Sequence, residues 1–270
     1  PYVFHDAGAE TITAVSIPKS LRKIGSNAFS YCGKMVSLRF NRLGELETIG
    51  ESAFRGCTAL TSLAIPACVQ TIENFAFSGC SSMESLRFAS DSRLQSIGES
   101  AFIGCDALSG VSLPEGLKTV GRTAFYNCDK MESLRVPDSV TSIGENAFSN
   151  CYSLKSVTIS GEMDLEKVLF NVTLDTLTLS GTFVQKAVSA RNVKLLDTIT
   201  EVRDGAFEWQ RIEQLLLSQN LKTIGAEAFE GTEITSVTLP EGIVTLGERA
   251  FACCGNLTTV NLPDSLQSVG

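Results

Sequence analysis

Short stretches of alternating apolar and polar residues punctuate the whole chain, each followed by a turn signal. MESLRF, LTSLAI, LKSVTI and ITSVTL are typical. Alternation with period two reads as a half-buried β-strand. Twelve such stations can be placed, beginning at Val15, Leu38, Leu63, Leu86, Val111, Leu134, Val157, Leu177, Val193, Leu215, Val237 and Val260. The residue two positions on is apolar every time, from Ile17 to Leu262. Pro18, Pro66, Pro114, Pro137, Pro240 and Pro263 directly follow a strand. Proline cannot donate to a ladder, so it ends the pairing and opens a turn.

A second signal lies between the strands. Ala-Phe recurs with Phe at 29, 54, 77, 102, 125, 148, 207, 229 and 251, at gaps of 25, 23, 25, 23, 23, 59, 22 and 22 residues. Before it stand an aliphatic residue and usually Gly, as in TIGESAF. Three residues after the Phe a Cys usually follows: Cys32, Cys57, Cys80, Cys105, Cys128, Cys151 and Cys254. A unit of about 23 residues cannot bury its own apolar face, so such units must stack. Stacking aligns the strands as a parallel sheet, about 4.8 Å apart and roughly 50–55 Å across twelve of them. Each Phe then lies on the Phe of the next unit, and each Cys likewise.

The pattern L-x-x-[LV]-x-[IL]-P followed by [IV]-G-x-x-A-F-x-x-C resembles the BspA-like class of leucine-rich repeats, over about residues 11–160 and 193–270. The resemblance implies a leucine-rich-repeat solenoid of about twelve stacked repeats, with a parallel sheet on one face and short turns or helical turns on the other. It also implies a surface-exposed or secreted protein of a host-associated bacterium or parasitic protist, with a role in adhesion. One solenoid over 1–270 is expected, with regular repeats at 11–160 and 193–270 and irregular repeats at 161–192. Residues 160–204 depart from the pattern: strand spacing shrinks and Ala-Phe is missing twice. Phe170 and Phe183 are expected to fill part of the vacated Phe positions. The segment is either a seam between two repeat blocks or a functional irregularity. The chain stops at SLQSVG, where another Ala-Phe is due, so the repeat is expected to continue beyond it.

Charge narrows the function. The net charge is -8, and an acidic surface repels phosphate backbones, so nucleic acid is not the expected partner. No apolar run approaches the roughly 18 residues of a membrane span. PYVFHDAGAE has no basic region leading into an apolar stretch, so no signal peptide is read there.

Candidate chemistry is thin. The sole histidine is His5, expected at the surface, whereas nucleophilic triads need a positioned imidazole. Of nine cysteines seven stand at repeat spacing, and the one close pair, Cys253–Cys254, has no accompanying His, so a zinc site is not expected. Buried reduced thiols acting as small apolar fillers are the favoured reading, with disulfides or metal as the alternative. Cys68, off the ladder, is the expected exposed thiol. Glu51, Glu99, Glu145, Glu227 and Glu248 recur just ahead of Ala-Phe, which marks a solvated surface rather than a catalytic carboxylate pair. Gly25, Gly50, Gly98, Gly121, Gly144, Gly225 and Gly247 repeat at one place, and positive φ is expected there. Asn171 and Asn256 sit in glycosylation sequons, at a frequency near chance.

The outward position of the sheet reads Ser16, Arg39, Ala64, Arg87, Ser112, Arg135, Thr158, Thr178, Lys194, Leu216, Thr238 and Asn261. In an acidic protein Arg39, Arg87 and Arg135, continued by Thr158, Thr178 and Lys194, form a candidate partner-binding stripe. The bland alternative is a solvated face whose charges discourage strand pairing. Three functions compete: a protein-binding or adhesive module, a structural spacer, and an enzyme. The first is favoured. Its partner would be a protein, such as a host extracellular protein, or a glycan. No cofactor, metal or catalytic residue is assigned, and a monomer is expected.

Overall fold

The computed structural model describes residues 11–270 and divides into two compact units, Pro1–Leu154 with Val168–Val172, and Lys155–Lys167 with Thr173–Gly270. Each is a parallel β-solenoid, and together they hold about eleven turns of about 23 residues. All twelve alternating stations are strands.

In the first unit the strands pair in register, Val15 opposite Leu38, Leu63 opposite Leu86 and Val111 opposite Leu134. A second ladder runs along the other side. Its strands are two residues long: Lys23–Ile24, Thr48–Ile49, Thr71–Ile72, Ser96–Ile97, Thr119–Val120 and Ser142–Ile143. The second unit repeats the plan. Ser156–Ser160, Leu174–Ser180, Ala190–Leu195 and Gln214–Leu216 form one run, Ser236–Thr238 pairs with Thr259–Asn261, and Phe183–Val184, Glu201–Val202, Thr223–Ile224, Thr245–Leu246 and Ser268–Val269 form the opposite ladder. Among the described residues the one α-helix is Leu165–Val168.

The interior is a set of columns, one side chain from each turn. Phe29, Phe54, Phe77, Phe102, Phe125 and Phe148 stack in sequence at centroid spacings of 5.0–5.3 Å. Phe207, Phe229 and Phe251 do the same in the second unit. The expected aromatic column is thus present in both. Its backbone is equally regular: except at Phe148 and Phe251, the N–H of the Phe donates to the Ala carbonyl one turn on, as from Phe125 to Ala147 at 2.8 Å.

The cysteine column has a role that composition did not reveal. Each thiol points at the preceding turn's Phe carbonyl: Cys57 to Phe29 at 3.3 Å, Cys80 to Phe54 at 3.3 Å and Cys105 to Phe77 at 3.5 Å. Cysteine is small enough for the column and adds a weak second donor to a carbonyl that already accepts the Cys N–H of its own turn, as Phe54 does from Cys57 at 3.3 Å. All nine cysteines are free thiols, and Cys32, Cys57, Cys80, Cys105, Cys128 and Cys151 are buried. Cys254 is only half-buried, and the exposed thiol is Cys253 rather than Cys68, which is half-covered.

Two further expectations need correction. The repeated glycines do not adopt positive φ. Except at Gly25, they are needed because neighbouring turns approach too closely for a side chain. A Cβ on Gly121 would lie 2.4 Å from the Glu99 nitrogen, and one on Gly144 would lie 2.3 Å from that of Arg122. The left-handed positions fall elsewhere, just before Ala-Phe (Asn27, Ser52, Ser100, Thr123, Asn146) and two residues after the Phe (Tyr31, Gly56, Asn127, Asn150, Trp209). Nor do Phe170 and Phe183 fill the Phe column. Phe148 donates to the Val168 carbonyl, so Val168 takes the Ala place and buried Leu169 the Phe place. Ala187, donating to Ala206, holds the other vacancy. Phe170 is 64% exposed, one step beyond the column. Phe183 lies in the two-residue ladder, with the Arg203 guanidinium 3.5 Å above its ring.

Candidate partner-binding face

The strands hold their outward residues by alternation. In Ser62–Ile65 the burial runs exposed, buried, exposed, buried, so Leu63 and Ile65 enter the core while Ser62 and Ala64 face solvent. Arg39, Arg87, Arg135 and Lys194 are all exposed, as their outward position demands, and Thr158 and Thr178 are half-exposed. Within the second unit, Thr158 stands opposite Thr178, Thr178 opposite Lys194, and Lys194 opposite Leu216.

The three arginines differ in surroundings. Arg135 bonds Glu115 at 2.9 Å, which offsets its charge locally. Arg39 and Arg87 make no ion pair among the described residues, and together they line one hollow of about 430 Å³. Its other walls are Phe40, Arg42, Ala64, Pro66, Phe88 and Ala89. Arg87 also borders a second hollow with Ser112, Pro114, Glu115 and Arg135.

These hollows trace to unit length. Ser37–Phe40 and Ser85–Phe88 share the sequence SLRF, lack the following proline, and continue into loops two residues longer. The ring that ends each is half-buried, whereas Ile17 and Ile65 at the same station are buried. A phenyl group is larger than the Ile of the neighbouring layers and rests at the rim, while the longer loop beyond it keeps backbone bonds to the adjacent turn, from Ala89 to Ile65 and from Arg93 to Ala67. The strand pairs Ala14–Ile17 with Ser37–Phe40 and Ser62–Ile65 with Ser85–Phe88 are separate sheets, and the break follows the first long unit. Sequence reasoning missed Arg42, Phe40 and Phe88 as part of this face. The signal was available in the paired SLRF motifs and the two 25-residue gaps.

The remaining titratable groups are built for structure. Burial pushes the Cys80 thiol up to about 12, and Cys57 and Cys105 are raised by the same cause. A thiol held protonated is a poor nucleophile. Glu162 is held below the usual carboxylate range by accepting from the Thr182 N–H and hydroxyl, each at 2.7 Å. Glu51, Glu99, Glu145, Glu227 and Glu248 are all exposed. Among the described residues no group of three or more His, Cys, Asp or Glu is placed to hold a metal ion. His5 lies outside the described residues. No helix among the described residues is long and apolar enough to cross a membrane.

In-register parallel strands, an aromatic column and an outward row of mixed polar side chains define a leucine-rich-repeat solenoid. Comparison with known proteins is more specific: the BspA type leucine rich repeat region matches in six copies, over residues 1–93, 87–190 and 176–270, and the chain belongs to that family. It is similar to a leucine-rich repeat protein from Bacteroides ovatus ATCC 8483 (22% identity, 97% of this chain and 76% of that one, TM-score 0.49). It is also similar to a leucine rich cell surface protein from Faecalibacterium prausnitzii A2-165 (22%, 94% and 83%, TM-score 0.43) and to the pneumococcal vaccine antigen PcpA (18%, 97% and 78%, TM-score 0.45). No curated protein matches the chain.

Proposed function

We propose that this chain is a non-catalytic protein-binding module of a cell-surface or secreted protein, and that it engages its partner through the sheet face. The observation that carries this reading is the exposed cationic row Arg39, Arg87 and Arg135 on the sheet face of a chain whose net charge is -8. Thr158, Thr178 and Lys194 occupy the same outward position in the second unit. Solenoids generally bind along such extended surfaces. Family membership supports a surface or secreted location. Burial holds the Cys57, Cys80 and Cys105 thiols protonated, which disfavours nucleophilic work by them.

The test is capture of extracellular proteins and glycans on the immobilised chain, followed by mapping. Replacing Arg39, Arg87 and Arg135 together by Ser, a residue already present at Ser16 and Ser112, should leave folding almost unchanged. It should weaken capture and remove its salt dependence, because exposed charges are screened within about 8–10 Å. Capture unaffected by this triple variant and by Ala at Thr158, Thr178 and Lys194 would refute face binding. Absence of any capture would favour the spacer.

A further inference from the structure

The two long units of the first half make something more defined than a charged stripe. Residues 37–44 and 85–92 flank the short unit 62–67, whose outward side chains, Ala64, Pro66 and Ala67, are small. The result is a trough lined by small side chains along its middle and by bulkier ones on both flanks. Phe40 and Phe88 stand half-exposed on either side, and Arg39, Arg42 and Arg87 ring the opening. A third hollow, of about 590 Å³, continues it, sharing Arg42, Pro66 and Ala89, and is bordered by Asn41, Leu43 and Asp91. Leu43 is 78% exposed, the most exposed large apolar side chain of the described residues.

The cations are the informative part. Arg22, Arg135, Arg191, Arg203, Arg211 and Arg249 all bond carboxylates. Among the described residues Arg39, Arg42, Arg55, Arg87, Arg93 and Arg122 bond none, and three of these six, Arg39, Arg42 and Arg87, converge on one hollow although the chain carries a net charge of -8. Three uncompensated guanidinium groups around an apolar floor match a ligand that is anionic at its edges and apolar at its centre. Guanidinium pairs carboxylates bidentately, which fixes orientation as well as charge. The walls belong to strands two spacings apart, about 10 Å, room for one extended chain but tight for a helix of 10–12 Å diameter. Six floor residues span about 20 Å at 3.3 Å each, the length of an extended hexapeptide.

We propose that this trough binds an extended acidic peptide segment of a partner protein, with an apolar side chain seated between Phe40 and Phe88 and carboxylates held by Arg39, Arg42 and Arg87. The inference rests on the protein-binding reading above and names the partner's chemistry at one place on that face. A sulfated glycan would satisfy the cations but leave the phenyl walls and small-residue floor without an apolar partner.

The test uses a dye-labelled hexapeptide of alternating Glu and Phe, measured by fluorescence anisotropy on the full chain, beside its Gln-for-Glu analogue and a heparin-derived hexasaccharide. The Glu peptide should bind, with affinity falling as salt rises. The Gln analogue, and the variant R39S/R42S/R87S with the Glu peptide, should each bind at least about tenfold more weakly, as the loss of one charge-assisted pair already predicts. Variant E145A/E248A, at exposed positions ahead of Ala-Phe, should bind as the parent does. The charge-reversed variant R39E/R87E, checked for folding by circular dichroism, should instead take a Lys-for-Glu peptide. The proposal is overturned if the Glu peptide binds the triple variant as well as the parent, if only the hexasaccharide binds, or if neither does. If the peptide fails while capture of a protein still depends on the sheet face, this inference alone falls. Loss of all face-dependent capture removes the broader reading too.

Discussion

Truncating Phe125 to Ala should expose how the fold is held together. Its ring is fully buried, with the Phe102 centroid 5.0 Å away on one side and that of Phe148 5.3 Å away on the other. Burying a side chain of this size contributes roughly 1.5–3 kcal/mol. The vacancy adds a cavity cost, because the neighbours cannot close in. Both are held by hydrogen bonds that set the turn spacing, Phe102 to Ala124 and Phe125 to Ala147, each at 2.8 Å. The sum places Phe125→Ala at about 3–5 kcal/mol, in the range of large core truncations. Phe251 offers the contrast. It is half-buried and stacks on Phe229 at 5.2 Å, so its truncation should cost about half as much. Phe29, also half-buried, should likewise cost less than Phe125. Repeat arrays depart from two-state unfolding, so a single midpoint would average over turns. Hydrogen exchange read by mass spectrometry separates them. Phe125→Ala should lose protection chiefly in the turns containing Phe102, Phe125 and Phe148. Equal losses at Phe125 and Phe251, or a cost below about 1 kcal/mol at Phe125, would refute nearest-neighbour stacking.

Three further outcomes follow from the same columns. A thiol reagent should label Cys253 rapidly and Cys57, Cys80, Cys105, Cys128 and Cys151 only after denaturation; fast labelling of these five in the folded chain would contradict their burial. Because burial raises the Cys80 thiol from 9.0 to about 12, its folded form resists ionisation while the unfolded chain ionises freely. Stability from this thiol is therefore full below pH 9 and is lost as pH climbs toward about 12, so urea midpoints should fall over that window; a flat profile would count against it. Gly121→Ala should destabilise by at least about 1–3 kcal/mol through backbone overpacking, whereas Gly25→Ala, where a Cβ meets nothing within 4 Å, should be nearly neutral by urea denaturation.

What was legible in the sequence depends on the range of the signal. The Phe column could be read directly, because one residue type at a fixed period must stack on itself once the units stack. The alternating strands were equally plain, since Leu63 and Ile65 point inward by the two-residue period alone. The opposite ladder was not, because a two-residue strand such as Thr48–Ile49 carries no periodicity to detect. The reason for glycine was misread for a related cause: Gly121 is constrained by Glu99, a residue from the neighbouring turn, and no local rule reveals that approach. The trough hid in plain numbers. The two 25-residue gaps looked like noise in a period of 23, and only stacking shows that they flank Ala64 with bulkier side chains and bring Arg42 beside Arg39 and Arg87.

Face binding can be tested most directly by steric blocking at two single sites. Cysteine introduced at Ala64, on the exposed sheet face, and separately at Glu51, an exposed position ahead of Ala-Phe, would each be coupled to a bulky maleimide polymer, with Cys253 replaced by Ser in both. The account predicts that the adduct at 64 abolishes capture of the extracellular protein bound by the parent, while the adduct at 51 leaves it intact. Capture that survives the adduct at 64 but not the one at 51 would place the binding surface elsewhere and contradict the account.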